Sequence, residues 1–239
     1  MIGCLPATLR ARLRRWIAGP YDYRRAYRLV DLERDYWSIV GPSTEEEFFR
    51  LGLGKLQMLR DLGLGPDAHL LDVGCGTGQL ATALEPFLSP AGAYVGTDIA
   101  PEAIAFCRRK FQRPNFQFVE SEMTGVPLSG RRFDFVYFGS VFTHMYTPEI
   151  RAMLEGLRSL IGVGGSVVAD AFIAEVRSGS RGDRGRAILD QRRLLEAFSA
   201  AGYRHQVVNV WDCEPGVRRC IYRLRPVSDA GQAIPPLPT

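Results

Sequence analysis

The sequence predicts an α/β fold: a doubly wound sheet, mostly parallel, that ends in an antiparallel hairpin and carries extra helices at its N-terminus. Three observations predict it. From residue 69 onward, short apolar segments alternate with segments of helical periodicity, which is typical of a parallel sheet with helices on both faces. A glycine-rich turn follows the first apolar segment. The last two segments flank the turn sequence EPG, which predicts the hairpin.

The N-terminal elements are predicted to be helical and partly basic. Apolar residues recur at helical spacing over residues 5–18, with arginines on the opposite face. A second helical region follows around 22–37. Ser43 or Thr44, followed by three glutamates, gives a capping signal that predicts a helix over about 44–62.

The core elements follow in strict alternation. The predicted strands are HLLDVG, AYVGTDI, FQFVE, FDFVYF, GSVVADAFI, RHQVVNVW and RRCIYRLR. The predicted helices are QLATALEPFL, PEAIAFCRRK, TPEIRAMLEGLRSL and DQRRLLEAFSAAG. Thr147 is the expected cap of the third of these helices, with Pro148 just inside it. Residues 174–186, rich in glycine and arginine, are predicted to form a mobile loop on the ligand side.

Three regions are therefore expected. They are a basic extension or lid at 1–44, a main domain at 45–226 and a flexible tail at 227–239.

Composition limits the classes of function. The chain has 239 residues and a net charge of +4. Residues 1–30 carry seven arginines and one aspartate, which leaves the remainder slightly acidic. The main domain is therefore not predicted to bind nucleic acid. No stretch is apolar enough to span a membrane. Five scattered cysteines form no CxxC pair and no metal-ligand spacing, so we expect a reducing, cytoplasmic location and no metal.

The glycine-rich turn in HLLDVGCGTG predicts a ligand that approaches the backbone closely. Its pattern is GxGxG, which differs from the GxGxxG that seats a pyrophosphate, and it lacks the lysine of a P-loop. Asp72 precedes the glycines and would repel a pyrophosphate. A cationic group suits this position better.

A second carboxylate indicates the rest of the ligand. The strand AYVGTDI ends on Asp98, where an acid accepts hydrogen bonds from both hydroxyls of a ribose. Ile99 follows and can cover a purine face. Two acids and a glycine turn thus describe a nucleoside with a cationic, phosphate-free extension, which is S-adenosylmethionine.

Five stretches of the chain resemble the motifs of the class I S-adenosylmethionine-dependent methyltransferase family. In order, they are LLDVGCGTG, YVGTDIAPEAIAFCRRK, FQFVESEMTGVPL, RFDFVYFGSVFTHM and LIGVGGSVVADAF. The likeness covers roughly residues 45–225, and it implies a seven-stranded sheet and methyl transfer to an acceptor. In the third motif the family's usual aspartate is replaced, and Glu122 is the nearest match. Gly162-Val163 replaces the usual lysine-proline before the fifth-motif glycines.

Residues and resemblance together give the expected cofactor contacts. They are Asp72, Gly74, Cys75, Gly76 and Gly78 at the methionine end, Asp98 at the ribose, Ile99, Glu122 and Met123 around the adenine, and Phe138 and Gly139 beside the methionine part. Cys75 is expected to act through its backbone, because nothing in the sequence suggests a base near its sulfur.

His144 is the candidate catalytic residue. It lies a few residues past the fourth predicted strand, on the ligand side, where an imidazole can accept the proton of a hydroxyl acceptor. The alternative is a loop histidine that helps to cap the next helix. Methyl transfer does not need a base in every case, since alignment of the reactants contributes much of the acceleration.

The acceptor is predicted to be a small molecule, such as a natural product, a sugar or a lipid-like compound, methylated at oxygen. Nitrogen or carbon methylation and a non-catalytic cofactor-binding module remain alternatives. The aromatic residues Tyr21, Tyr23, Tyr27, Tyr36 and Trp37 either form a lid or pack the extra helices on the sheet. For the helix at 5–18, a solvated basic face, a weak membrane-surface contact and a clamp for an acidic acceptor stay open. The oligomeric state is not predicted.

Overall fold

A mixed sheet of nine strands forms the centre of the structure, a computed structural model that describes residues 22–121, 128, 130–176, 179–183 and 185–227, without the side chains of Arg181 and Asp183. The strands are β1 (His69–Val73), β2 (Ala93–Asp98), β3 (Phe116–Glu120), β4 (Phe133–Phe138), β5 (Ile161–Ala174), β6 (Ser180–Asp183), β7 (Arg186–Asp190), β8 (Tyr203–Glu214) and β9 (Val217–Pro226). The predicted helix at 5–18 and the tail from 228 lie outside the described residues.

The strand order confirms the predicted doubly wound sheet. Strands β3, β2, β1, β4 and β5 lie side by side in that order and run parallel. Strand β9 then pairs antiparallel with β5, and β8 pairs antiparallel with β9. The predicted hairpin around EPG is this β8–β9 pair. The order reverses between β1 and β4, and sheets of this kind bind ligands at the carboxyl ends of the strands beside such a reversal.

One prediction about the sheet is wrong. The described part of 174–186 is not a plain loop, because β6 and β7 form a hairpin there. Strand β7 pairs parallel with the last residues of β5, from Phe172 to Ala174. Strand β4 does not reach as far along β5, because its last residue, Phe138, pairs with Ala169. The hairpin therefore extends the sheet beyond the carboxyl end of β4, and two strands are added to the seven that were expected.

Seven α-helices and three short 3₁₀ helices accompany the described sheet. They are α1 (Tyr23–Arg28), α2 (Leu32–Asp35), α3 (Glu45–Asp61), α4 (Gln79–Leu84), α5 (Pro101–Lys110), α6 (Thr147–Leu157) and α7 (Gln191–Ala200), with 3₁₀ turns at Ser38–Val40, Phe142–His144 and Arg158–Leu160. None of the described helices combines the length and the apolar composition of a membrane span.

Local chemistry explains where the helices begin. Thr44 caps α3: its hydroxyl accepts a hydrogen bond from the Glu47 amide at 3.1 Å, and the Glu47 carboxylate accepts one from the Ser43 amide at 2.7 Å. Thr44 is thus one of the two caps that the sequence predicts, and Glu47 binds the amide of the residue before it. Helix α6 begins at Thr147, but its N-cap is Tyr146, one residue before the expected cap.

The sheet has a hydrophobic core on each face. On one face, α6 and α7 pack on apolar residues of β4, β5, β8 and β9. On the other, α3, α4 and α5 pack on β1, β2 and β3, together with aromatic residues of the segment 22–40. The carboxyl ends of the strands form one edge of the sheet, and the predicted site residues lie along this edge.

Candidate functional site

The glycine loop joins β1 to α4 at the point where the strand order reverses. Gly74, Gly76 and Gly78 all have positive φ, at 74°, 57° and 80°. This backbone conformation favours glycine. A Cβ on Gly74 would lie 2.5 Å from the Val141 side chain, so this position also lacks room for a methyl group. The sequence prediction of a bare, tightly bent backbone therefore matches the geometry.

Asp98 ties the glycine loop to the end of β2. Its carboxylate accepts hydrogen bonds from the amides of Gly76 and Ala100, both at 2.9 Å. Burial raises the pKa of this carboxyl, and the backbone hydrogen bonds oppose the rise. The side chain is thus a buried carboxylate at the loop, held in place by backbone donors.

Asp72 is the second buried carboxylate of the site. Burial raises its pKa to about 6, and the charge of Asp98 adds to the rise. The Tyr94 hydroxyl, which donates a hydrogen bond at 2.7 Å, and the charge of Lys55 oppose it. Burial in turn lowers the pKa of Lys55, against the attraction of Asp72 and Asp170. The negative charge near the loop is therefore only partly compensated.

Cys75 lies inside the loop and is buried. A hydrogen bond with Cys107 and burial raise the pKa of its thiol well above the usual value. A thiol in this state is a poor nucleophile. This agrees with the expectation that Cys75 is not a nucleophile, and its predicted backbone contact with the cofactor stays a prediction.

The N-terminal segment stands over the glycine loop. A Cβ on Gly76 would lie 2.6 Å from Val40 and 3.1 Å from the Tyr27 hydroxyl. The buried hydroxyl of Thr77 donates to the Tyr36 carbonyl at 3.0 Å, and the Arg24 guanidinium donates to the Ile99 carbonyl at 2.9 Å. The segment therefore lies against this part of the site, while its Tyr27 and Tyr36 are buried in the hydrophobic core, so both the lid and the packing interpretation stay open.

His144 ends the 3₁₀ turn that follows β4 and is half-buried. Its Nδ1 lies 2.8 Å from the Tyr23 hydroxyl, and the two rings are 4.9 Å apart. Helix α1 thus contacts the predicted site at both His144 and Ile99. Tyr21, Glu122 and Met123 lie outside the described residues, so their predicted roles stay predictions.

The turn after β4 is the part of the site with the most unusual backbone. Ser140 has a φ of 61°, the single positive value at a non-glycine position in the described chain. Its amide donates to the Asp170 carboxylate at 2.6 Å. Arg219 donates to the same carboxylate from Nε at 2.7 Å and to the Ser140 hydroxyl at 2.6 Å. Phe138 and Gly139 lie directly before this cluster.

Two surface cavities lie elsewhere in the described part of the chain. One of about 390 Å³ is lined by Asp134, Gly164 and Arg223, among others, and one of about 400 Å³ by Arg108 and Phe118. Neither touches the glycine loop.

Comparison with known proteins supports the predicted family. Residues 70–165 match a family model described as a methyltransferase domain. That span runs from β1 through the glycine loop, Asp98 and the turn after β4 into β5.

Residues 70–165 are thus similar to a methyltransferase domain, which supports the class I S-adenosylmethionine-dependent family that the sequence predicts.

Relatives and solved structures agree with this assignment. The methyltransferase domain is 33% identical over 102 residues to phthiotriol/phenolphthiotriol dimycocerosates methyltransferase of Mycobacterium leprae, covering 43% of this chain and 37% of that protein. It is 26% identical over 113 residues to demethylmenaquinone methyltransferase of Staphylococcus aureus, covering 47% and 46%. The alignments thus span less than half of either relative. The family, enzyme class and cofactor that the sequence predicts agree with these comparisons.

The fold has counterparts among solved structures. A SAM-dependent methyltransferase from Aquifex aeolicus superposes with a TM-score of 0.55 at 20% identity, covering 73% of this chain and 92% of that one. This likeness confirms the α/β fold class.

Sequence reasoning missed part of the site of this methyltransferase domain. The missed residues are Lys55, Tyr94, Asp170 and Arg219. A signal was present for Asp170, since a carboxylate in the middle of the apolar strand GSVVADAFI must find a partner when buried. Tyr94 also shares a strand with Asp98. No local pattern identified Lys55 or Arg219.

Proposed function

We propose that this protein transfers a methyl group from S-adenosylmethionine to an oxygen atom of a small-molecule acceptor. The observation that carries the proposal is the pair of buried carboxylates, Asp72 and Asp98, on either side of a glycine bend. A pyrophosphate beside Asp72 would bring like charges together at low dielectric. A cationic nucleoside derivative meets attraction at the same place.

The residues present fit this cofactor. Burial raises the pKa of both carboxyls, so their ionised forms lack full compensation in the protein alone. Asp72 and the loop backbone would hold the cationic amino-acid end, and Asp98 would accept hydrogen bonds from the ribose hydroxyls. When bound, the cofactor supplies a methyl group already activated by a positively charged sulfur.

Ligand entry needs the N-terminal segment to move. Tyr27 and Val40 lie against Gly76, and Thr77 is hydrogen-bonded to the Tyr36 carbonyl. We infer that the segment opens to admit the cofactor and closes over it. Closure would exclude water from the two carboxylates, which strengthens their attraction for a cation.

His144 is the proposed general base. The Tyr23 hydroxyl lies 2.8 Å from Nδ1 and 3.3 Å from Nε2 of His144. In the tautomer with the proton on Nδ1, Nε2 carries the lone pair that would accept a proton from an acceptor hydroxyl. Tyr23 would then hold both the tautomer and the direction of the ring. This role is the reason for proposing oxygen as the methylated atom.

A small-molecule acceptor is supported by the relatives, whose names refer to lipid and quinone compounds. The main alternatives are methylation of nitrogen or carbon in such a molecule and cofactor binding without catalysis. An oxygen acceptor predicts a need for a base, whereas a binding module predicts affinity for the cofactor without turnover of any acceptor.

Isothermal titration with S-adenosylmethionine and S-adenosylhomocysteine tests the proposal. We expect both to bind the wild-type protein and NADH not to bind. In Asp98→Ala the affinity should fall at least about tenfold, because a hydrogen bond to a charged group contributes about 1.5–3 kcal/mol. Asp61→Asn is the matched control, since Asp61 is an exposed acid bonded only to Gln57 among the described contacts. Wild-type protein that binds neither compound at millimolar concentration would contradict the proposal.

A further inference from the structure

The conformation of Ser140 needs support from its surroundings. A residue with a side chain is strained in the left-handed region, and such strain persists where neighbouring groups hold it in place. Ser140 has a φ of 61°. This position is occupied by a serine, although the preceding residue is a glycine, Gly139. The groups that hold Ser140 are therefore of interest.

Two side chains from distant strands hold it. The buried Asp170 carboxylate, on β5, accepts from the Ser140 amide with Oδ1 and from Arg219 Nε with Oδ2, at 2.6 and 2.7 Å. A terminal nitrogen of Arg219, on β9, closes the ring by donating to the Ser140 hydroxyl at 2.6 Å. Both the backbone and the side chain of Ser140 are thus fixed.

Arg219 is itself held in position. Its guanidinium lies 5.4 Å from the ring centre of Phe172 and 5.7 Å from that of Trp211. Aromatic faces attract guanidinium groups at such distances. The arginine is therefore fixed both by its hydrogen bonds and by the rings beside it.

The turn that this cluster fixes forms one side of the crevice at the strand reversal. Val141, the next residue, packs on Gly74 of the glycine loop. The Ser140 carbonyl accepts from the Thr143 hydroxyl at 2.8 Å, which stabilises the 3₁₀ turn that ends at His144. A change at Ser140 would therefore move the wall of the crevice and the candidate base together.

We propose that Asp170 and Arg219 are positioning residues that hold Ser140 in its left-handed conformation and thereby set the wall of the crevice where the amino-acid end of the cofactor binds. This rests on the proposed function. A purely structural ion pair between β5 and β9 is the competing explanation. Those strands already pair continuously from Val167 to Ile173, and the ion pair adds bonds directed at the turn.

The test compares two ligands that differ in their amino-acid end. S-adenosylhomocysteine has this end and 5′-methylthioadenosine lacks it, so only the affinity of the first should depend on the wall of the crevice. In Asp170→Ala we expect the affinity for S-adenosylhomocysteine to fall about tenfold. Without support, a residue with a side chain adopts the left-handed conformation only a small fraction of the time, and binding must then select that conformation. The affinity for 5′-methylthioadenosine should stay within about threefold of the wild-type value, because this ligand does not reach the turn.

Rescue distinguishes positioning from simple stability. Adding Ser140→Gly to Asp170→Ala should recover most of the lost affinity, because glycine adopts this φ without penalty. Adding Ser140→Ala should recover none. Arg219→Lys, which keeps the charge but not the forked geometry, provides a second variant if Asp170→Ala does not fold, and it should show the same loss for S-adenosylhomocysteine alone. Arg218→Lys, at the exposed neighbouring position, is the control.

The outcomes separate the two proposals. If the wild-type protein binds S-adenosylhomocysteine and both Asp170→Ala and Arg219→Lys bind it equally well, the positioning role is wrong and the proposed function stands. Equal losses for both ligands, or rescue by alanine as well as glycine, also contradict the positioning role. If the wild-type protein binds neither ligand, the proposed function itself is contradicted.

Discussion

The two walls of the crevice between β1 and β4 are built in different ways. The glycine wall comprises residues 72–78 together with Asp98. The turn wall comprises residues 138–144 together with Asp170 and Arg219. In the glycine wall, three glycines take up positive φ and one carboxylate holds the loop. In the turn wall, a serine takes up positive φ and two side chains from other strands hold it.

This difference shows which residues determine the backbone conformation of each wall. Glycine needs no outside support for a positive φ, so the glycine wall is encoded largely by the residues that form it. Ser140 needs such support, and its hydrogen-bonding partners lie 30 and 79 residues further along the chain. The glycine wall should therefore be damaged by added atoms, whereas the turn wall should be damaged by lost hydrogen bonds.

The largest expected effect concerns catalysis at the turn wall. His144→Ala should lower the rate of methyl transfer about 10²–10⁴-fold, which is the usual contribution of a general base. The rate is measured as S-adenosylhomocysteine formation with an acceptor found in a chemical panel. Affinity for the cofactor should change little, because the histidine is assigned to the acceptor.

His69→Ala is the control for this variant. His69 is exposed and is the first residue of β1, whereas the glycine loop follows the last residue of that strand. A His144→Ala protein that keeps its rate within about threefold would exclude the role of base. It would then favour alignment of the reactants as the main source of acceleration.

The second prediction adds an atom to the glycine wall. Gly74→Ala should lower the free energy of unfolding by about 2–4 kcal/mol, because it combines left-handed strain with overpacking against Val141. Gly63→Ala is the matched control: Gly63 also has a positive φ, of 101°, but no atom lies within 4 Å of an added Cβ. Denaturant unfolding of both variants separates strain from contact. Equal losses would show that packing of the two walls contributes nothing.

Most of the fold could be predicted because its signals are local. The apolar run of β1, the helix cap at Thr44 and the turn that contains Gly216 each depend on a few neighbouring residues. The β6–β7 hairpin could not be predicted, because SGSRGDRGR has no apolar alternation and its place depends on how far β5 extends.

The site divides in the same way. Asp72, the glycines and Asp98 were predicted from their spacing in a single stretch of 27 residues. The pairing of Asp170 with Arg219 joins residues that are 49 positions apart, and sequence alone gives no register for β5 against β9. The positive φ of Ser140 is likewise unpredictable, since serine seldom adopts it without support.

The third prediction uses pH to test the electrostatics of the glycine wall. The pKa of Asp72 is raised to about 6 by burial, with Tyr94, Lys55 and Asp98 as its charged or polar neighbours. Below that pH the carboxyl is protonated and no longer attracts a cation. The affinity for S-adenosylmethionine should therefore fall about tenfold between pH 7 and pH 5, measured by titration calorimetry.

The same shift has an opposite sign for stability. The unfolded carboxyl has a pKa of about 3.9, so between roughly pH 4 and pH 6 the folded chain holds more of the proton than the unfolded chain does. Asp72 thus makes the ligand-free protein less stable as the pH rises through this window. Asp72→Asn should remove this contribution and flatten the pH dependence of affinity. An unchanged pH dependence in that variant would assign the effect to Asp98, whose pKa burial also raises.

The smallest expected effect comes from the same chemical change made in both walls. Thr77 and Thr143 are buried, and each hydroxyl donates to a backbone carbonyl, at 3.0 Å to Tyr36 and at 2.8 Å to Ser140. Replacing either threonine by valine should cost about 1 kcal/mol of unfolding free energy, because the carbonyl loses its partner.

The two threonine variants should differ in kinetics, although their stabilities match. Thr77→Val removes one hydrogen bond between the N-terminal segment and the glycine loop, so release of S-adenosylhomocysteine should quicken in a stopped-flow experiment. Thr143→Val leaves that segment attached and loosens the 3₁₀ turn before His144, so the rate of methyl transfer should fall while release stays unchanged. Equal release rates in the two variants would mean that the segment over Gly76 does not gate the site, and the contrast between the walls would then be one of folding alone.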